Sequence, residues 1–262
     1  MIFFFSGTGN TEWAAKTIAN ALDEVLVSIP NAINGDCHYT LQEDERIGFC
    51  FPVHGWRPPK IVRQFIERLR FTPHGDNPHF TYAVCTAGDT IGETMDLFSQ
   101  ELAQRNLPLC SAYSLLMPES YVGLPFMDVD TKEKELIKKE TAARQLAEII
   151  PQLRERQPGI FRLVKGRWPK TNSRVLGAFF ENVLISDSPF RVVSSRCVKC
   201  GICADVCPVA DIRGGLGMEP EWKHEGSCLS CFACYHHCPH HAIEYGGRTR
   251  HKGQYFFNRQ LR

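Results

Sequence analysis

The amino-acid sequence predicts an α/β fold, a doubly wound parallel sheet, followed by a small α+β domain. Two observations predict it: short apolar runs alternate with helical patterns in the first half of the chain, and a duplicated cysteine motif lies near the C-terminus. The chain has 262 residues, 43% of them apolar and 23% charged, which suits two globular domains. We therefore expect a sheet domain at 1–156, a helical linker that docks the domains at 157–189 and a cysteine-rich domain at 190–262.

Five apolar runs in the first domain predict strands, each bounded by glycine, proline or charged residues. Helical patterns alternate with them, and this alternation is typical of a parallel sheet. Ligands of such sheets lie beyond the carboxyl ends of the strands, so three strand-end loops should meet at 6–11, 52–57 and 87–90. The predicted strands are 2–5, 25–29 at an edge, 46–51, 82–86 and 109–116, and the predicted helices are 13–22, 59–69, 91–105 and 132–153.

The first strand leads directly into a glycine-rich loop at the start of a helix. Backbone N–H groups at such a place can cradle an anion, and side-chain hydroxyl and amide groups can add hydrogen bonds. The loop has neither the lysine of a nucleotide P-loop nor the spacing G-x-G-x-x-G. A turn that only caps the helix is the alternative. The loop residues are Ser6, Gly7, Thr8, Gly9, Asn10 and Thr11.

Eight of the twelve cysteines form a motif C-x2-C-x2-C-x3-C-P that occurs twice. This spacing holds a pair of [4Fe–4S] clusters, each of which takes its fourth ligand from the other run. Structural zinc usually binds two cysteine pairs with a longer spacer, and a disulfide framework belongs to secreted proteins, which nothing in the sequence suggests. We therefore assign Cys197, Cys200, Cys203 and Cys238 to one cluster and Cys228, Cys231, Cys234 and Cys207 to the other.

The loop at 6–11, directly after an N-terminal strand, resembles the FMN phosphate loop of flavodoxins. Together with the cysteine motif, the chain resembles flavodoxin–ferredoxin fusion proteins of anaerobic bacteria and archaea over nearly its whole length. The resemblance implies a flavodoxin-like sheet of strand order 2-1-3-4-5, FMN as cofactor, and a C-terminal two-[4Fe–4S] ferredoxin-like domain.

The resemblance also implies that the second and third loops hold the isoalloxazine ring. We expect Trp56 to stack on the ring, with a packing role as the alternative, and Gly55 to let the backbone approach the flavin N5 atom. The third loop lacks the aromatic residue of many flavodoxins, so one flavin face should be open or covered by the cysteine-rich domain. The two loops are Pro52, Val53, His54, Gly55 and Trp56, and Ala87, Gly88, Asp89 and Thr90.

Charges and histidines lead to further expectations. His54 and Arg57 could give the flavin site a positive rim, with solvated surface charge as the alternative. From residue 190 onward ten Lys and Arg residues stand against six Asp and Glu residues, which favours an acidic partner surface. Four histidines flank Cys238, and because the cysteine set is complete we expect surface histidines rather than ligands: His236, His237, His240 and His241.

Two other segments are predicted to pack. A helix that follows Asn172 and Ser173 should dock the two domains through an apolar face, and residues 255–257 should anchor the C-terminal tail. The apolar positions of that helix are Val175, Leu176, Phe179, Phe180 and Val183.

The favoured function is an electron-transfer protein that relays electrons between FMN and two [4Fe–4S] clusters. The alternative is an FMN-dependent reductase fed by the clusters, with Tyr121 or His54 as the proton donor to a small-molecule substrate. A redox sensor is a third hypothesis. We expect redox partner proteins, no nucleic acid, no membrane span and a cytoplasmic location, because neither a nucleic-acid motif nor a sufficiently long apolar run is present.

Overall fold

A computed structural model of the chain describes residues 1–72 and 79–258. Six parallel strands form the central sheet: β1 (Ile2–Phe4), β2 (Leu26–Ser28), β4 (Ile47–Pro52), β6 (Thr81–Ala87), β7 (Ser111–Leu116) and β8 (Phe161–Arg162), and β3 (His38–Thr40) and β5 (Arg70–Thr72) form a separate parallel pair. The order in the central sheet is β2-β1-β4-β6-β7-β8. The predicted order 2-1-3-4-5 is therefore confirmed, and β8 extends the sheet beside β7.

Successive residues of a strand point to opposite faces of the sheet, and they are apolar on both faces. Helices therefore cover both faces. On one face Phe3 and Phe49 pack with Phe65 of α3 (Lys60–Arg68) and with α4 (Thr94–Ala103), and on the other Ile2 and Tyr113 pack with α1 (Asn10–Leu22) and α5 (Lys132–Arg154). Burial on two faces explains why the strands are continuous apolar runs rather than alternating ones. A further short helix, α2 (Ile29–Ala32), directly follows β2.

The C-terminal region forms a small domain around its own aromatic core. Phe190 stacks on Trp222 with ring centroids 5.4 Å apart, and its ring also contacts Tyr245 and Phe232. Two antiparallel pairs and two short helices surround this core: β9 (Phe190–Val192) with β12 (Ile243–Tyr245), β10 (Ile212–Arg213) with β11 (Glu221–Trp222), α8 (Ile202–Asp205) and α9 (Ala233–His237).

A helix at 169–184 joins the two parts, and it consists of α6 (Pro169–Thr171), the π-helical stretch Asn172–Leu176, α7 (Gly177–Phe179) and the π-helical stretch Phe180–Leu184. It packs on the sheet domain through its small and polar residues. The Ser173 hydroxyl donates to the Trp56 carbonyl at 2.8 Å and accepts the Glu93 N–H at 2.7 Å. The expectation of an apolar docking face is wrong for four of its five residues, since Val175, Leu176, Phe179 and Val183 are exposed.

Among the residues that the structure describes, no helix is long and apolar enough to cross a bilayer.

Candidate functional site

The three strand-end loops meet around one cavity at the carboxyl edge of the sheet. Its volume is about 1150 Å³ when counted out to its open mouth. Of the fifteen residues predicted to hold a flavin, all except Gly9 line this cavity. Parallel strands end at the same edge, which is why loops far apart in sequence come together here.

The glycine-rich loop leaves backbone donors available. Within the described residues, the N–H groups of Gly7, Thr8 and Asn10 have no hydrogen-bond acceptor, and α1 begins directly after them. Free N–H groups and the positive end of a helix dipole together suit a phosphate group. This part of the cavity therefore fits the phosphate of FMN.

The side chains of the loop are used differently from the expectation. The Thr11 hydroxyl bonds to the Thr86 hydroxyl at 2.7 Å, and the Ser6 hydroxyl accepts the Gly9 N–H at 3.1 Å. The Asn10 amide donates to the Pro118 carbonyl and accepts from Tyr255 in the C-terminal tail. These side chains mainly fix the shape of the loop. The backbone N–H groups are therefore the main hydrogen-bond donors available to an anion.

The two glycines of the loop lie against the C-terminal region. A Cβ atom on Gly7 would lie 3.0 Å from the Cβ atom of Cys231, and one on Gly9 would lie 2.9 Å from that of Phe257. Gly9 also has a φ of 90°, which L side chains rarely adopt. Glycine is needed here because the second domain approaches the loop closely.

The second loop is a tight turn in which His54 and Arg57 exchange two backbone hydrogen bonds of 3.1 Å. Gly55 and Trp56, at its centre, both have positive φ angles. The Trp56 indole N–H donates to the Thr90 hydroxyl at 3.1 Å, which joins the second loop to the third. Trp56 thus lines the cavity while its edge is held by Thr90, a position from which its ring can contact a flavin.

The positive rim expected from His54 and Arg57 is wrong. Desolvation lowers the pKa of His54 to about 4, so its ring is neutral at pH 7. The Arg57 guanidinium is paired with Glu181 of the joining helix at 3.1 Å. Neither group contributes a free positive charge to the cavity.

Residues from three other segments complete the cavity, and no strong sequence motif pointed to most of them. Phe180 comes from the joining helix and covers Gly55, while Cys231 and its two predecessors come from the cysteine-rich domain. The C-terminal half of the chain therefore supplies part of the cavity wall. The additional lining residues are Thr86, Pro118, Glu119, Ser120, Tyr121, Leu124, Met127, Phe180, Leu229, Ser230 and Cys231.

On the loop after β7, Tyr121 and Glu119 are the titratable side chains that line the cavity. The Tyr121 ring packs edge-on against Phe180 and Phe232, and burial raises the pKa of its hydroxyl far above the usual value. Glu119 accepts the N–H groups of Ser120 and Tyr121, both at 2.9 Å, and burial raises the pKa of its carboxyl. Glu119, which the sequence analysis did not select, is thus a second titratable side chain at the cavity, and its carboxyl has a raised pKa.

The eight motif cysteines line two separate small spaces in the C-terminal domain. The spaces measure about 370 Å³ and 300 Å³ when counted out to solvent. This is the grouping that crossed pairing between the runs predicts, and none of the twelve cysteines, which all lie in the described part of the chain, forms a disulfide. The first space is lined by Cys197, Cys200, Cys203 and Cys238, and the second by Cys207, Cys228, Cys231 and Cys234.

The surroundings of these thiols suit iron–sulfur clusters. Backbone N–H groups point at the sulfur atoms of Cys207, Cys228 and Cys238 at 3.2–3.4 Å, an arrangement that tunes cluster potentials. Burial raises the pKa of Cys203 to about 11 and that of Cys231 to about 12. Thiolates are therefore unfavourable here unless a cation compensates them, as iron would.

The histidines around Cys238 differ from one another. His236 is fully buried, so the expectation of a surface histidine is wrong for it. Its Nδ1 accepts the Tyr255 N–H at 3.1 Å, and its Nε2 donates to the Ser120 carbonyl at 2.6 Å. A neutral His236 thus links the tail to the cavity loop, and the predicted anchoring of the tail is confirmed.

Comparison with known proteins gives three results. The sequence pattern of the 4Fe-4S dicluster domain family matches residues 190–239, which contain all eight motif cysteines. No curated protein matches the chain. A crystal structure of a "putative flavoprotein" from Bacteroides uniformis ATCC 8492 is similar with a TM-score of 0.33 and 17% identity, over 44% of this chain and 88% of that one. The C-terminal region is thus a small domain with a ferredoxin-like 4Fe–4S motif, which supports electron transfer in general.

Proposed function

We propose that the chain is an electron-transfer iron–sulfur flavoprotein that relays electrons between FMN in the cavity and two [4Fe–4S] clusters in the cysteine-lined spaces. One observation carries the proposal: Cys231 belongs to the lining of both the cavity and one cysteine space. When bound, FMN exchanges one or two electrons and each cluster exchanges one. A shared cysteine would place two such groups in direct succession.

The residues of the chain have distinct roles in this proposal. The backbone of 6–11 binds the phosphate, and the loops with Trp56 and Thr90 hold the ring. Phe180 and Leu229 exclude water from the ring, because both are apolar and line the cavity on the side of the C-terminal half. The chain thus fixes the distance and the dielectric surroundings on which electron transfer depends.

The two cysteine sets would act in a fixed order. We call Cys207, Cys228, Cys231 and Cys234 the flavin-side set, and Cys197, Cys200, Cys203 and Cys238 the solvent-side set. Beside the latter, Val198 is 57% exposed, and Leu216, which is 90% exposed, forms an isolated backbone bridge with Cys200. We therefore place the exchange of electrons with a redox partner protein at the solvent-side set.

The test is an anaerobic preparation in which FMN, iron and sulfide are measured, followed by a spectroelectrochemical titration. The expected contents are one FMN and about eight iron atoms per chain. Flavin absorbance that changes in two one-electron steps supports a relay. A protein that binds no FMN, or that holds zinc in place of iron, contradicts the proposal.

A reductase is the second candidate function, and Glu119 is the observation in its favour. A buried carboxyl with a raised pKa beside Gly88 and Tyr121 could move a proton to a small substrate in the cavity. In a reductase, the change Glu119→Gln slows turnover while FMN stays bound. In a pure carrier, the same change leaves electron exchange with a one-electron dye unaltered.

A further inference from the structure

The joining helix carries an exposed apolar strip, formed by Val175, Leu176, Phe179 and Val183. These side chains are between 47% and 61% exposed. Their spacing of three and four residues places them on one side of the helix. Ser173 and Gly177, which are buried against the sheet domain, lie on the other side. The strip is therefore the outward half of an amphipathic helix.

Unneutralised positive charge lies at the N-terminal end of the strip. The Arg167 guanidinium stacks on the Trp168 ring at 5.4 Å from its centroid, and Trp168 is 62% exposed. Neither Arg167 nor Lys170 forms an ion pair with a carboxylate anywhere in the described part of the chain. The surface that begins at Arg167 is thus both apolar and cationic.

The acidic residue of the same helix does not offset this charge. Glu181 is turned inward, where it pairs with Arg57 at 3.1 Å and with Arg63 at 2.7 Å. Arg174 pairs with Glu93 at 2.7 Å, so its charge is partly satisfied. Within the helix at 169–184, the outward side therefore offers apolar groups, and Glu181 does not neutralise the neighbouring cations.

We propose that this strip is a docking surface for an anionic lipid membrane. Exposed Trp and Phe side chains beside Arg and Lys are typical of helices that lie in the plane of a membrane interface. Anionic headgroups complement the charges of Arg167 and Lys170, and the acyl boundary accepts the apolar side chains. A second copy of the same strip carries the same cations and therefore offers Arg167 and Lys170 no complementary charge.

Docking of this kind would also position the cavity. Phe180 lies on the same helix and lines the cavity, so membrane contact brings the cavity within about one helix diameter, ~10 Å, of the lipid surface. The helix would lie flat on the bilayer, because it is too short to cross it. This proposal does not depend on whether the cavity holds FMN.

The test is co-sedimentation of the intact protein, prepared anaerobically, with vesicles of phosphatidylglycerol or of phosphatidylcholine. We expect binding to phosphatidylglycerol that weakens as salt is added, and at least about tenfold weaker binding to phosphatidylcholine. The double change R167E and K170E should remove the preference for the anionic lipid. The double change F179S and V183S should lower binding to both lipids about tenfold or more.

A matched control is available on α5, where Leu136 and Ile137 are 57% and 61% exposed. The double change L136S and I137S removes similar apolar area elsewhere and should leave vesicle binding unchanged. Three results would overturn the proposal. The first is no vesicle binding at all, and the second is vesicle binding that F179S and V183S do not reduce. The third is a dimer, seen by light scattering, that the same two changes dissociate, because a second copy would then cover the strip.

Discussion

The two cysteine runs have the same backbone but different surroundings. Lys199 and Gly201 in the first run have positive φ angles, and so do Ser230 and Phe232 at the equivalent positions of the second. A left-handed residue costs about 1–2 kcal/mol unless it is glycine, so the repeated conformation is imposed by the turn that each run must make. The duplicated sequence motif is thus also a duplicated piece of structure.

Their surroundings decide what each run can do. In the second run Leu229 is buried in the core of the sheet domain, and Cys231 contacts Gly7. In the first run the equivalent Val198 is exposed. The comparison teaches that one run is built into the cavity and the other is free to meet a partner.

The largest expected effect separates the two sets by removing one ligand from each. Cys203→Ala should lower the iron content from about eight to about four atoms per chain and leave FMN bound, because the solvent-side space is remote from the cavity lining. Cys234→Ala should remove the same amount of iron and also weaken FMN binding about tenfold or more, because its set includes Cys231. Iron analysis measures the iron content of each variant, and flavin titration measures its affinity for FMN.

Full iron content in Cys203→Ala would refute the ligand assignment. Equal loss of FMN in both variants would show that the two sets do not differ in their distance from the cavity.

The contact between Gly7 and Cys231 gives the second prediction. Gly7→Val should press the phosphate loop against the second run, because even a Cβ atom there lies only 3.0 Å from that of Cys231. Such overpacking costs about 1–3 kcal/mol, which we expect to appear as weaker FMN binding and a lower midpoint of unfolding. Gly215→Val beside the first run is the matched control, since no atom lies within 4 Å of its Cβ position. Similar losses in both variants would contradict the close contact.

His54 tests how well the cavity beside the second run excludes water. Its pKa is about 4 in the folded chain, against about 6.5 in an unfolded one, so the unfolded state binds more protons between these values. The stability due to neutral His54 is complete above pH 6.5 and is lost as the pH falls toward 4. Between pH 7 and pH 5 the wild type should lose about 2 kcal/mol more than His54→Gln, measured by chemical unfolding. Parallel curves would show that His54 is solvated.

The sequence predicted the parts of this molecule that depend on local patterns. Apolar runs, either alternating or continuous and with glycines at their ends, predicted the strands of the sheet. The cysteine spacing predicted the flavin-side and the solvent-side cysteine sets. The left-handed angle at Gly201 has a sequence signal, whereas Ser230 and Phe232 adopt the same conformation without one. Phe232 packs against Tyr121 and Tyr245, and this burial can offset the cost of its left-handed conformation.

Individual side-chain hydrogen bonds between distant segments could not be predicted. His236 and Tyr255 connect the cavity loops to the tail through hydrogen bonds that span more than a hundred residues, and no local pattern encodes such pairs. The apolar residues of the joining helix are regularly spaced, but the prediction that this face docks the two domains is wrong. Periodicity shows that residues share a face, and it does not show which side of a helix meets the protein.

The smallest expected effect is on the stability of the domain, and its sign is opposite for substitutions in the two runs. Lys199 is exposed and holds a positive φ of 55°, so Lys199→Gly should relieve backbone strain and stabilise the domain by about 0.5–1 kcal/mol. Ser230→Gly relieves the same strain but removes two hydrogen bonds of the Ser230 hydroxyl with the Ser186 backbone, at 3.0 and 3.2 Å. Ser230→Gly should therefore destabilise the domain by about 1 kcal/mol. Anaerobic thermal unfolding with the clusters in place measures both variants, and a shift of the same sign in both would mean that the surroundings of the two runs are energetically alike.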